Sequence, residues 1–125
     1  MKTVEQLQDC IKQSAARIRT LNKEAMELLS VRPYTDAVAK QEKAKYREIE
    51  KEQDKIAELR QSIIYIQTTP PRGIEESFNK TLALLKAIEN EVAQCEDKEI
   101  ENEIRDKRSY SKVKAQFKRL QFLMS

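Results

Sequence analysis

The chain has one glycine and no histidine or tryptophan among its 125 residues, and aromatics make up only 6 % of it. Each shortage excludes something. A single glycine, Gly73, cannot build a phosphate-cradling loop or a dinucleotide fingerprint, since both need several. Tight β-hairpins also draw on glycine for positive φ, which argues against a β-sandwich or barrel. Without histidine the chain lacks the commonest general base, the commonest metal ligand and the usual switch near neutral pH. Serines and threonines sit at caps and loops with no triad partner, so no catalytic residue is assigned. Nor is any cofactor, because the chain offers no motif to hold one.

Cysteine is scarce as well. Cys10 and Cys95 are the only two, and with no signal-like apolar segment they read as free thiols in a reducing compartment. The expectation is a cytoplasmic protein, and no run of residues reaches membrane-spanning length. Cys10 lies near the start of the first expected helix and Cys95 about six turns into the third, so no disulfide is expected within one chain. The two thiols are better suited to being small core residues than nucleophiles, as neither has a histidine to activate it.

What the chain has in quantity is charge, at 36 %, arranged on helical periods. Thr3 followed by Gln6 fits a capping box. From there Val4, Leu7, Ile11, Ile18, Leu21, Ala25 and Leu28 recur at steps of three and four, with Ser14 the one polar break. That spacing is a coiled-coil seam. Pro33 ends this helix, which is placed at 3–31. Thr35 and Asp36 open a second, at 35–67. In its latter part Ile49, Ile56, Leu59, Ile63 and Ile66 keep the seam, whereas earlier positions of the same stripe hold Glu42, Lys45 and Glu52. Charges three apart along it (Arg47–Glu50, Glu48–Lys51, Lys51–Asp54, Glu52–Lys55, Lys55–Glu58) are expected to pair within the helix.

Tandem prolines at 70 and 71 read as a loop that turns the chain. A third helix then takes 74–107, with Phe78, Leu82, Leu85, Ile88, Val92 and Cys95 on one face. A break near 96–98 or near 109–111 stays open. A fourth helix at 110–124 carries Tyr110, Val113, Phe117, Leu120 and Met124 on one side. The fold class is therefore all-α. A long antiparallel helical hairpin, a third long helix and a short C-terminal helix form a three- to four-helix bundle, one domain over 1–125. Val4, Leu7, Ile11, Leu59, Ile63, Ile66, Phe78, Leu82 and Leu85 should supply its richest layer. The end around Arg32–Tyr46 lacks apolar material and is free to protrude or to meet a partner. In outline a hairpin, a Thr69-Pro70-Pro71-Arg72-Gly73 loop and a further long helix resemble the small export chaperones of the flagellar type. No site is carried over from this resemblance, and no family is assigned.

The sharpest asymmetry lies near the C-terminus. Glu89, Glu91, Glu96, Asp97, Glu99, Glu101 and Glu103 are opposed only by Lys98; seven basic residues then follow from Arg105 against the single acid Asp106. In a continuous helix Arg105, Arg108, Lys112 and Arg119 would form one stripe. Such a basic helix can contact phosphates, an anionic membrane or an acidic groove, can pair with the acidic run, or can simply be solvated. The acids alternate around their helix instead of converging, so no metal site is assigned. The expected function is non-enzymatic: an adaptor, assembly factor, inhibitor or chaperone binding a protein partner through helical faces. A nucleic-acid-binding accessory role is the alternative, and homodimerisation through the seams is a further possibility. The partner-binding candidates are Arg105, Arg108, Lys112, Lys114, Phe117, Lys118, Arg119, Phe122 and Leu123.

Overall fold

The computed structural model describes all 125 residues: five α-helices and no strand. They are α1 (Val4–Leu29), α2 (Asp36–Thr68), α3 (Pro71–Ala93), α4 (Lys98–Lys107) and α5 (Tyr110–Met124). The chain divides into two compact units, Thr3–Gln67 and Thr68–Ser125, the latter including Met1–Lys2. No helix is long and apolar enough to cross a membrane.

The first unit is a helical hairpin. Its start is set by a reciprocal cap: the Thr3 hydroxyl accepts from the Gln6 N–H at 3.2 Å, and the Gln6 side chain accepts from the Thr3 N–H at 2.9 Å. At the other end of α1 the Arg32 guanidinium donates to the carbonyls of Leu29 and Val31, satisfying acceptors that a helix terminus leaves unpaired. Thr35 then caps α2 through its hydroxyl, which accepts from the Val38 N–H. Along α1 the buried residues are Leu7, Ser14, Leu21 and Ala25. The polar break at Ser14 thus stays on the buried stripe at 3 % exposure.

In α2 the matching stripe is half charge. Ile49, Leu59 and Ser62 are buried, and Glu42, Lys45 and Glu52 on the same stripe are half-buried. None of the five expected pairs within α2 forms. Lys45 Nζ instead reaches Glu24 of α1 at 2.7 Å, and Arg17 of α1 reaches Glu52 at 3.3 Å and Glu48 at 3.7 Å. Position accounts for two of the five: Glu48 and Glu52 lie within reach of α1, where Arg17 holds them across the hairpin rather than leaving them to a lysine one turn along α2.

The second unit has an apolar centre. Leu85, Ile88 and Val92 of α3 pack with Val113 of α5, and Ile104, Tyr110 and Phe117 are partly buried against them. Phe78 and Phe117 stack with ring centroids 5.5 Å apart. The Lys2 N–H donates to the Leu123 carbonyl at 2.6 Å, fixing the start of the chain on the last turn of α5.

Two expectations for this region need correction. Helix α3 begins at Pro71, not at 74, because proline at the first helical position has no N–H to lose and already holds the helical φ. The helix expected over 74–107 is also two helices. It stops at Ala93, and Asp97 restarts it by accepting from the Glu99 N–H at 2.9 Å. A second break follows at Ser109, whose φ of 52° is left-handed. Both of the breaks left open by the sequence are therefore present.

Candidate functional site

These breaks change the meaning of the charge asymmetry. Helix α4 carries Glu99 and Glu101 in its first turn and Arg105 and Lys107 in its last. Acids at the N-terminus and bases at the C-terminus complement the helix macrodipole, so part of the switch from acidic to basic sequence stabilises α4 itself. The stripe expected to run from Arg105 to Arg119 is divided between α4, its C-cap Arg108, and α5.

The individual candidates are placed as follows. Arg108 pairs with Glu91 of α3 at 3.3 Å. Arg105 and Lys114 lie over the Tyr110 ring, at 5.8 and 5.7 Å from its centroid. Lys112 and Lys118 are exposed, and Arg119 is half-buried. Of the three apolar candidates, Phe117 is half-buried in its stack with Phe78, and Phe122 is 40 % exposed beneath the Lys2 ammonium. Leu123, expected at the surface, is fully buried at 0 %. The C-terminal helix therefore presents cations around a single accessible aromatic. Beside it a recess of about 230 Å³ is lined by Glu89, Val92, Ala93, Glu101, Arg105 and Tyr110. The Tyr110 hydroxyl is 3.3 Å from Glu89 there. No group of three histidine, cysteine or carboxylate side chains is placed to hold a metal ion, and Cys10 and Cys95 are free thiols.

More of the exposed large apolar side chains lie elsewhere. Met26, Leu29, Val31, Tyr34 and Tyr46 are all at least 40 % exposed, with Met26 reaching 68 %. All five belong to the turn end of the hairpin. A groove of about 600 Å³ runs between α1 and α2 at that end, lined by Glu24, Glu27, Leu28 and Val31 on one side and by Gln41, Ala44, Lys45 and Glu48 on the other. Two polar contacts fix its surroundings. Tyr34 donates its hydroxyl to Glu42, and this bond raises the tyrosine pKa above its ordinary value. The bond to Glu24 likewise raises that of Lys45.

Sequence reading marked the Arg32–Tyr46 end as poor in core material but did not assign these residues. The available signal was that Met26 and Leu29 fall off the three–four spacing that Leu21, Ala25 and Leu28 maintain. An apolar residue off the seam has no partner within the hairpin.

No protein-family model, curated protein or solved structure matches this chain.

Proposed function

We propose that the protein is a non-enzymatic interaction module, an adaptor, assembly factor, inhibitor or chaperone, that binds a protein partner through the turn end of its α1–α2 hairpin. One observation carries this reading: half of the ten exposed large apolar residues in the chain lie between Met26 and Tyr46. Scattered single apolar residues are ordinary on a surface, whereas a concentration of them at one end of a hairpin marks a place where burial is available to a partner. Helix-on-helix burial would supply the affinity, and the surrounding charges would select partner and register.

The reading is tested by partner retention from the native host. The wild-type chain is expected to hold a discrete partner that Met26→Ser/Leu29→Ser/Tyr46→Ser loses and Lys112→Gln/Lys114→Gln/Lys118→Gln keeps. Retention by the first variant and loss by the second would overturn it.

A second reading, nucleic-acid binding by α5, is favoured by a specific feature: Lys112, Lys114, Lys118 and Arg119 lie on α5 with no acid on that helix. Phosphate binding would weaken steeply as salt rises, in proportion to the cations engaged. Unchanged nucleic-acid retention in Arg108→Gln/Lys112→Gln/Lys118→Gln/Arg119→Gln would exclude it. Light scattering across a concentration series decides homodimerisation, with a constant monomer mass assigning the α1 seam to the hairpin's own core.

A further inference from the structure

The turn half of the hairpin has two faces that differ in charge. Residues two apart on a helix point about 200° from one another, so the residues that line the groove also mark its opposite side. Glu24, Glu27, Gln41 and Ala44 line the groove. Two residues on from each stand Met26, Leu29, Lys43 and Tyr46. The groove lies on one side of both helices, so these four share the other. Lys23 and Arg19 precede Met26 by three and seven, and Arg47 follows Lys43 by four, which brings them to the same face. Three exposed apolar side chains therefore lie among cations from both helices.

The acids of this end are mostly engaged or elsewhere. Between Arg19 and Arg47 the chain carries seven cations and four acids. Lys45 is the one cation in an ion pair, so six stay unneutralised: Arg19, Lys23, Arg32, Lys40, Lys43 and Arg47, all exposed. Of the acids, Glu24 holds Lys45 and Glu42 accepts from the Tyr34 hydroxyl. That leaves Glu27, at the α1 edge beside Lys23 and Met26, and Asp36, in the first turn of α2. Glu50, one turn past Tyr46, bounds the face at its inner end. The surplus is thus positive, and it surrounds the uncovered apolar residues.

Resting on the reading of the turn end as an interaction surface, we infer that the face opposite the groove takes an acidic amphipathic helix from a partner protein. The apolar stripe of that helix lies along Met26, Leu29 and Tyr46. Its glutamates or aspartates, on either side of the stripe, reach Lys23 on α1 and Lys43 and Arg47 on α2. Two adjoining helices accept a third through i, i+3, i+4 anchors, and the unneutralised cations select its charge and repel a basic competitor.

The test uses the full chain, isotope-labelled, and two synthetic helical peptides with identical leucine stripes, one flanked by glutamates and the other by lysines. The glutamate peptide is expected to move the amide resonances of Met26, Leu29, Lys43 and Tyr46. It should bind at least about tenfold more tightly than the lysine peptide at low salt, an advantage that shrinks as salt rises. Lys23→Gln/Lys43→Gln/Arg47→Gln breaks no ion pair of the hairpin and is expected to weaken the glutamate peptide about fivefold or more. Lys112→Gln/Lys118→Gln, on α5, should leave its binding unchanged.

Equal binding of both peptides at these residues, or no loss in the triple glutamine variant, would overturn the acidic partner while leaving the interaction surface standing. Movement of the same resonances by vesicles of phosphatidylcholine and phosphatidylserine, with the glutamate peptide inert, would assign the face to a lipid surface and overturn the inference. Movement on concentrating the chain alone would assign it to a second copy, with the same consequence. If nothing moves them, the face falls as the site. The wider reading is judged separately by partner retention in the Met26→Ser/Leu29→Ser/Tyr46→Ser variant.

Discussion

The turn half of the α1–α2 hairpin and the α3–α5 pair are held together by opposite means. Between α3 and α5 the contact is hydrocarbon: Leu85, Ile88, Val92 and Val113, with Ile88 at 0 % exposure. In the hairpin, Glu42, Lys45 and Glu52 occupy half-buried stripe positions of α2, and Tyr34, Glu24 and Arg17 answer them one by one. Partly exposed ion pairs add little stability, typically 0–1 kcal/mol each. Polar residues on a seam give up stability and specify register instead. The comparison teaches that one region is built to stay folded and the other to stay aligned, with apolar side chains left uncovered on its outside.

The largest effect should come from breaking the apolar region. Ile88→Ala deletes a fully buried side chain and is expected to cost about 2–5 kcal/mol, read as a lower urea midpoint with an unchanged slope. A loss below 1 kcal/mol would mean that the α3–α5 contact is not the core of its unit.

Next in size is converting one region into the other. Lys45→Leu/Glu52→Leu extends the apolar stripe of α2 and should raise stability by about 1–2 kcal/mol, with new self-association visible by light scattering. A destabilised, strictly monomeric double variant would show that the charges stabilise the hairpin rather than align it.

Smaller still is the cap. Thr3→Ala removes one half of the reciprocal bond and is expected to cost about 1 kcal/mol, measured in the same urea titration. Hydrogen exchange adds a contrast with little energy behind it. Helix α4 has no buried residue and Ile100 is 49 % exposed, so the amides of 98–107 should exchange well before those of α3.

The smallest effect is on pH. Tyr34 and Lys45 both have raised pKa values, the first from donating to Glu42 and the second from its bond to Glu24. A raised pKa means the protonated form is favoured on folding, so this contribution is complete below the ordinary tyrosine and lysine values. It is lost as pH rises through the elevated ones, in the alkaline range. Ultraviolet titration should find Tyr34 ionising later than a free tyrosine, and Glu42→Gln should bring it back.

Much of the architecture could be read from local pattern. The Thr3–Gln6 box, the three–four spacing of Leu7 to Leu28 and the proline near the turn are signals carried within a few residues, which is why the all-α hairpin was legible. The division at Gln94–Asp97 was less so. Ile100 and Ile104 keep a faint apolar rhythm across it, and what decides the break is a cap by Asp97 that competes with continuing the helix. Leu123 shows the other kind of gap. Its burial and the Lys2–Leu123 bond join opposite ends of the sequence, a pairing that no window of residues contains. The same holds for the ion pairs of α2, since the sequence displays neighbours along the helix while the register of the hairpin chooses partners across it. For the candidate site, the cations of α5 were visible as composition. The exposed turn end emerged only once the seam showed which apolar residues it leaves out.

The central claim, that the turn end of the hairpin meets the partner, is most directly tested by site-specific photo-cross-linking in the native host. A photoreactive residue placed at Met26 or at Tyr46 should yield one discrete adduct, and the same residue at Lys118 should yield none. Adducts from Lys118 alone, with Met26 and Tyr46 silent, would contradict the account and move the interaction surface to α5.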